Sequence, residues 1–532
     1  MVATIEAEVP TLAANVWLHD DGSAVGTEEE LRSVVTIVKR DGPQRGLHLQ
    51  PDKSTVWSPS PLAPGIKDPL RCGIKQVEES GIKLLGAPIG SDEFIVQFVK
   101  KKVEKIKHIT AQLPSLHQPH LEFVLLRSCL ALPKIVYILR TTDPSKFWHL
   151  LQDFDSATRE ALSRIIGGAV SDRSWEQAKL PVSMGGLGLR AAEDHASAAF
   201  SISSSSSRPL LRELLHLAEA EEDANLLPVA VLDHLSTKIG AEETVSPAEL
   251  QNLSQKMLSA KIDLHNQQVL KDGLTASGSV REIARFNSVS LKDAHAGDWL
   301  SVVPSPGLNL LLRPSEFVVA IRYRLGHPVF GSDGPCPACG QPSDRLGDHA
   351  LNCAWQGERI ARHNSLRDTL HSTAVKAALG PTKEGQYLLP GEGGKPADIF
   401  IPRHAGGKDA ALDVTVINPL QTATVAQAAE TPGHALHVAH KRKLDKSWQP
   451  CQDQGIVFLP LAVESLGAWH KSAICEVKKL GSSLARHTGE EESVTIRHLF
   501  QQLSIALVKG NAALLNNRNP GGAADSDEGI GW

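Results

Sequence analysis

Four residues of metal-ligand type lie within the stretch CPACGQPSDRLGDHALNC, residues 336–353. Their spacing is Cys336-x2-Cys339-x9-His349-x3-Cys353. Two cysteines separated by two residues form a knuckle that offers both sulfurs to one tetrahedral zinc. A His and a Cys four residues apart lie on the same face of one helical turn. Because four protein ligands close the coordination shell, the spacing predicts a structural zinc rather than a catalytic one.

The rest of the composition is that of an ordinary globular protein. The chain has 532 residues, enough for several hydrophobic cores and three or four domains, and its seven cysteines are too few for a disulfide scaffold. No apolar run reaches the ~18 residues of a membrane-spanning helix, and the first thirty residues lack the pattern of a signal peptide. We therefore expect an intracellular protein without a membrane partner. The formal charge of -5 is mild, so a nucleic-acid surface must come from local basic patches.

Two adjacent aspartates lie near the start of the chain, in WLHDDGSAVGT. Asp20 and Asp21 fall on what reads as a tight turn between two strands. Adjacent acidic residues on a hairpin can hold the divalent metals of a nucleotidyl transferase. The sequence therefore makes this pair a candidate polymerase metal site.

A lysine-rich segment, FVKKKVEKIKHI, lies in a stretch of helical pattern from residue 93 to about 166. Its lysines are Lys100, Lys101, Lys102, Lys105 and Lys107. Two interpretations stay open, a solvated helix face and a helix that follows a phosphate backbone. Further along, SISSSSSRP (201–209) is expected to be a low-complexity break between domains.

A second acidic pattern lies in the segments GKPADIFIP and AALDVTVINPL. They predict a β-hairpin that carries Asp398 on or before its first strand and Asp413 on its second. Two carboxylates on neighbouring strands can hold Mg²⁺ or Mn²⁺ and so act on a phosphodiester. The alternative is that both are ordinary turn or cap residues.

Downstream, HKRKLDKSW places Lys443 and Lys446 about one helical turn apart. An ammonium group from this helix could lie beside the scissile phosphate. The alternative is that both lysines are solvated.

Taken in chain order, these motifs resemble the C-terminal part of non-LTR retrotransposon polyproteins, in which reverse transcriptase is followed by a zinc knuckle and a restriction-like endonuclease. The other matching elements are GLHLQPDK, LLGAPIG and LPVSMGGLGLR. The resemblance covers most of residues 15–470 and is weakest from 210 to 290. It implies that Asp20 and Asp21 are a polymerase metal pair, that Lys53 is the basic residue of the next palm element, and that the lysine-rich helix belongs to a thumb. It also implies DNA and RNA as partners and no small-molecule cofactor.

The endonuclease of this family is similar to the PD-(D/E)xK nucleases. Asp398 matches the first acid and Asp413 the second, and Lys443 or Lys446 would supply the lysine from a following helix. The sequence departs from the pattern at Ala397, which is inserted between the usual Pro-Asp pair. The short stretch before Trp17 leaves out the upstream palm, so we expect the reverse transcriptase to be incomplete and inactive.

The expected fold class is α+β and multidomain, with a truncated palm, a helical thumb, a helical connector, a zinc knuckle and an α/β restriction-endonuclease-like domain. The corresponding boundaries are 1–92, 93–200, 201–330, 331–365 and 366–510, followed by a disordered tail at 511–532.

Three functions are consistent with the sequence. The first is a metal-dependent DNA endonuclease that nicks a target strand. The second is a nucleic-acid-binding module without catalysis, and the third is an inactive relic of a decayed element. An active protein would act in the nucleus.

Overall fold

The computed structural model describes residues 1–60, 74, 76–78, 80–215, 227–242, 244–385, 389 and 397–520. Most of these residues are helical, and the strands form small sheets, which confirms the predicted α+β class.

The helices are, in chain order, α1 (Val2–Glu8), α2 (Glu28–Asp41), α3 (Asp92–Ala111), α4 (Pro119–Leu125), α5 (Leu132–Thr141), α6 (Trp148–Ile166), α7 (Asp172–Lys179), α8 (Ala192–Leu215), α9 (Val229–Ile239), α10 (Pro247–Leu250), α11 (Gln255–Ala276), α12 (Val280–Val289), α13 (Pro314–Leu325), α14 (Asp348–Asn352), α15 (Glu358–Lys376), α16 (Val425–Glu430), α17 (His434–Asp453), α18 (Lys471–Thr488) and α19 (Glu492–Asn517). The strands are β1 (Ala14–Leu18), β2 (Asp21–Val25), β3 (Thr55–Trp57), β4 (Gln76–Glu78), β5 (Gly81–Leu84), β6 (Ala87–Gly90), β7 (Gly334–Pro335), β8 (Pro342–Ser343), β9 (Thr382–Lys383), β10 (Ile399–Ala405), β11 (Lys408–Ile417) and β12 (Val457–Glu464).

The chain forms two compact units. One comprises Met1–Lys107, Lys134–Phe154 and Ala192–Ile262, and the other His108–Pro133, Asp155–Ala191 and Asp263–Trp532.

In the first unit, strands β1 and β2 pair as an antiparallel hairpin, and helix α2 follows directly. Thr27 caps α2 in a capping box with Glu30, which satisfies backbone donors at the start of the helix. Val34 and Ile37 of α2 pack against Ile5 of α1. The α2 helix therefore has both of the local signals that its sequence carries, a cap and an apolar stripe.

The serine-rich stretch 201–209 is not a break, because it lies inside helix α8. Ala198 and Ile202 of this helix pack with Leu232 and Leu235 of α9. One of the serines satisfies its hydroxyl within the helix, since Ser207 Oγ donates to Ser203 O at 2.8 Å. The break predicted at 201–209 is therefore wrong.

The second unit contains a mixed four-stranded sheet in the order β12-β11-β10-β9. Strands β10 and β11 are antiparallel, whereas β11 and β12 are parallel and are connected through helix α17. Helices α15, α18 and α19 cover one face, where Leu412, Val414 and Leu461 are buried. Helix α17 covers the other face, where Ala435 and Ala439 pack on the sheet. This arrangement gives β11 a helix on both sides, as its β-branched, apolar sequence requires.

The end of the described chain also differs from the prediction. Residues 511–517 continue helix α19 and are not a disordered tail. Leu514 and Leu515 are almost fully buried, so the apolar spacing of the helix extends beyond residue 510. Residues 521–532 lie outside the described residues, and the other domain boundaries stay predictions.

Candidate metal centre and acidic site

The four residues of the predicted zinc knuckle come together. One ligand atom from each of Cys336, Cys339, His349 and Cys353 lies within 4.8 Å of the others. In a tetrahedral zinc site with Zn–S bonds of ~2.3 Å, the ligands are separated by roughly 3.8 Å, so the cluster fits this ion. Over the residues that the structure describes, this is the only group of three or more His, Cys, Asp or Glu side chains gathered so closely.

Local hydrogen bonds shape the knuckle. Gly340 has a φ of 73°, and its N–H donates to Cys336 O at 2.8 Å, which reverses the chain after the second cysteine. The Cys336 N–H donates to Gln341 O at 2.8 Å. The carboxylate of Asp344 accepts the backbone N–H of His349 at 2.9 Å, and helix α14 starts there. The short helix then places His349 and Cys353 on the same side, as their spacing predicts.

Buried charges tie the cluster to its surroundings. Asp348 is bound by the Arg281 guanidinium at 2.6 Å and by the Tyr323 hydroxyl at 3.2 Å. Arg518, whose side chain is buried, pairs with Glu358 at 2.7 Å and donates to the Trp355 carbonyl, two residues beyond Cys353. These contacts fix both ends of the α14 segment within the second unit.

The acidic site forms where β10 and β11 meet. Asp398 directly precedes β10, and its N–H donates to Leu412 O at 3.0 Å. Its Oδ2 accepts the Val414 N–H at 2.7 Å and lies 3.0 Å from Nε2 of His363 on α15. The same His363 nitrogen lies 3.0 Å from Val414 O. The Asp398 carboxylate is therefore held between helix α15 and strand β11.

Asp413 lies on the opposite side of its strand from Leu412 and Val414, because side chains alternate along β11. That face is covered by helix α17, and Lys443 of this helix places its Nζ 2.6 Å from Asp413 Oδ2. Asp413 is 8% exposed. Lys446, by contrast, is exposed one turn further along α17. Of the two lysines in the prediction, the structure brings Lys443 to the acidic pair.

The electrostatics of the site follow from this burial. Burial raises the pKa of Asp413, and the nearby Asp398 charge raises it further, whereas the Lys443 ammonium opposes both effects. The hydrogen bond to Asp398 raises the pKa of His363. Asp413 also raises the pKa of the Cys451 thiol, after the larger effect of burial. Lys443 and His363 thus pair with the two carboxylates, Asp413 and Asp398, which are largely shielded from water.

Unlike the cysteine cluster, the acidic pair does not form a close group with a third metal-ligand side chain among the described residues. Among the described residues, no group of three Asp, Glu, His or Cys ligand atoms within 4.8 Å includes Asp398 and Asp413. Glu384 lies close in the backbone, since its N–H donates to Asp398 O at 2.9 Å. Its carboxylate, however, binds Arg367 at 2.7 Å.

Sequence reasoning missed His363 and Arg367. They are four residues apart on α15 and face the site together, one on Asp398 and the other on Glu384. The available signal was RHNSLRD, in which a His and an Arg share one helix face upstream of the acidic hairpin.

The first acidic pair has different surroundings. The predicted hairpin forms, with its turn after Leu18 and a left-handed His19 at a φ of 57°. Asp20 and Asp21 are both exposed, and neither belongs to a close three-ligand group among the described residues. Their role as a metal pair stays a prediction.

The predicted nucleic-acid-binding lysines lie on the surface. Lys53 is exposed in a turn, and Lys107 forms an ion pair with Asp153 at 2.9 Å. The others on α3 are exposed, namely Lys100, Lys101, Lys102 and Lys105. Four cations are thus presented to solvent on this helix, while the fifth is partly neutralised.

Comparison with protein-family models and with curated proteins returns no match to this chain. Across the described helices, none combines the length and the apolar character needed to cross a membrane.

Proposed function

We propose that the protein is a retrotransposon-derived, nucleic-acid-binding protein with a metal-dependent DNA endonuclease. The observation that carries the proposal is that Lys443 of helix α17 reaches the acidic pair of the mixed sheet, with its Nζ 2.6 Å from Asp413 Oδ2. The cysteine cluster would hold a structural zinc, and DNA and the element's RNA would be the partners. A chain that acts on chromosomes would work in the nucleus.

Each residue has a distinct role in this proposal. Asp398 and Asp413 would hold Mg²⁺ or Mn²⁺, which when bound polarises the phosphodiester and activates water. His363 and the Val414 N–H keep the Asp398 carboxylate in one orientation. Lys443 balances the Asp413 charge in the free protein and would turn to the phosphate when the ion binds.

We do not expect primer extension. Two-metal polymerase chemistry requires carboxylates that converge on both ions. Asp20 and Asp21 are exposed at a hairpin tip, and no close three-ligand group among the described residues includes them. The reverse transcriptase of this proposal is therefore an inactive remnant.

A second candidate is a nucleic-acid-binding module that does not cut. It is favoured by the pairing of Asp413 with Lys443 and by the absence of a third close ligand among the described residues. The four exposed lysines of α3 would supply phosphate contacts in either case.

Plasmid nicking by the full, zinc-loaded chain separates the candidates. We expect nicking that depends on Mg²⁺ or Mn²⁺ and falls at least ~100-fold in Asp413→Asn, because the variant loses a charged metal ligand. The matched control is Asp445→Asn, which removes an exposed carboxylate of α17.

Nicking that persists in Asp413→Asn would refute this assignment. Salt-sensitive DNA binding without nicking would support the binding module. A folded, zinc-loaded protein that neither binds nor nicks would be an inactive relic.

A further inference from the structure

Trp355 lies two residues after the cluster ligand Cys353, and it is 60% exposed. Its backbone is nevertheless held by a buried side chain. The Trp355 carbonyl accepts a hydrogen bond from Arg518. Arg518 is itself buried and paired with Glu358 at 2.7 Å. A large aromatic ring is therefore exposed to solvent on a backbone that a buried arginine holds in place.

One exposed cation, Arg359, lies on the same short segment as this ring. Arg359 is exposed, and its Nη1 donates to Asn352 O at 3.1 Å, which places the guanidinium beside the segment that ends in Trp355. The carboxylate of the neighbouring Glu358 forms its ion pair with Arg518 rather than with Arg359. An exposed aromatic residue and an exposed arginine four residues apart are the pairing that suits a base and its phosphate.

We propose that Trp355 stacks an unpaired nucleobase of single-stranded nucleic acid, while Arg359 contacts the adjoining phosphate. The inference rests on the nucleic-acid-binding part of the proposed function and assigns that binding a site. An indole ring offers a broad apolar face to any base, so the contact is tolerant of sequence. The buried Arg518, which binds the Trp355 carbonyl, holds the segment that carries the ring.

The test measures binding of the full, zinc-loaded chain to a fluorescent 12-nucleotide single strand, as DNA and as RNA, and to the matching duplex. We expect Trp355→Ala to weaken single-strand binding about 5- to 150-fold, the range for loss of one stacked base. Trp355→Phe should stay within about threefold of the parent, because it keeps an aromatic face. Trp355→Leu keeps apolar bulk without that face and should behave like Trp355→Ala.

Two further measurements exclude a merely structural effect. Zinc content and Tm should be unchanged in all three variants, and the slope of log Kd against log salt should also be unchanged, since stacking releases no counterions. The control is Val375→Ala, which truncates a 53%-exposed apolar side chain at the other end of α15 and should leave binding unaltered.

An unchanged single-strand Kd in Trp355→Ala would overturn the inference. Equal Kd values for Trp355→Phe and Trp355→Leu would overturn it as well. Absence of single-strand binding by the parent protein would overturn it too. A loss confined to DNA or to RNA would identify which strand is held and would support it. Plasmid nicking is scored separately, so a protein that binds through Trp355 without cutting refutes only the endonuclease.

Discussion

All four ligands of the cysteine cluster come from residues 336–353, whereas the acidic site draws on α15, β10, β11 and α17. The cluster is shaped by a glycine turn and a single helical turn, both encoded locally. The acidic site exists only once a hairpin has formed and two helices have packed on opposite faces of its sheet. We therefore expect the geometry of the cysteine cluster to depend mainly on its bound metal, and the geometry of the acidic site to depend on the packing of the surrounding helices and strands.

The strongest test of this contrast removes one cluster ligand. We expect Cys353→Ser to lose the bound zinc and to lower the Tm by roughly 10 °C, because the binding free energy of a structural metal is part of the folding free energy. Metal content by mass spectrometry and calorimetric Tm measure both effects. Cys475→Ser, at an exposed cysteine of α18, is the control. Retention of Tm after complete zinc loss would show that the cluster does not support the fold.

A second test concerns a buried carboxylate on the same sheet as the acidic site. Burial raises the pKa of Glu464 to about 7, and only the Ser288 hydroxyl opposes this effect. Because the folded-state pKa exceeds the unfolded value, Glu464 contributes stability below about pH 4.5 that is lost as the pH rises through 7.

We therefore expect Glu464→Gln to be about 3 kcal/mol more stable than the parent at pH 8, at ~1.4 kcal/mol per unit of pKa, with the difference vanishing near pH 4. Urea unfolding at both pH values measures it. An equal difference at pH 4 and pH 8 would contradict the role of ionisation.

The smallest expected effect comes from the ion pair in the acidic site. Removing the cation in Lys443→Met leaves the buried Asp413 carboxylate unpaired, so its pKa rises further. The variant should match the parent near pH 4 and lose about 2 kcal/mol by pH 8, less than a fully buried pair because Lys443 is partly exposed.

The double variant Lys443→Met with Asp413→Asn should recover most of this loss. If the double variant is as unstable as Lys443→Met alone, the loss comes from packing of the lysine stem rather than from charge.

A region could be predicted from the sequence when the residues that form it are close together along the chain. The knuckle and the β1–β2 hairpin were correctly predicted because their residues are neighbours in sequence. His363 was missed because its contact with Asp398 depends on how α15 packs across the sheet. Residues 511–517 were wrongly predicted because the Gly- and Asn-rich composition of the segment outweighed Leu514 and Leu515, which continue the apolar stripe of α19.

Helix α19 packs against α13, α15 and α18, and Arg518 just beyond it binds Glu358. The helix that completes this core is thus separated from α13 and α15 by more than a hundred residues of sequence. Closing such long loops before any contact is gained is entropically costly and slows folding. During synthesis, the apolar faces of α13 and α15 that α19 covers stay exposed to water until α19 has left the ribosome. We therefore expect the second unit to be most prone to aggregation before α19 has been made.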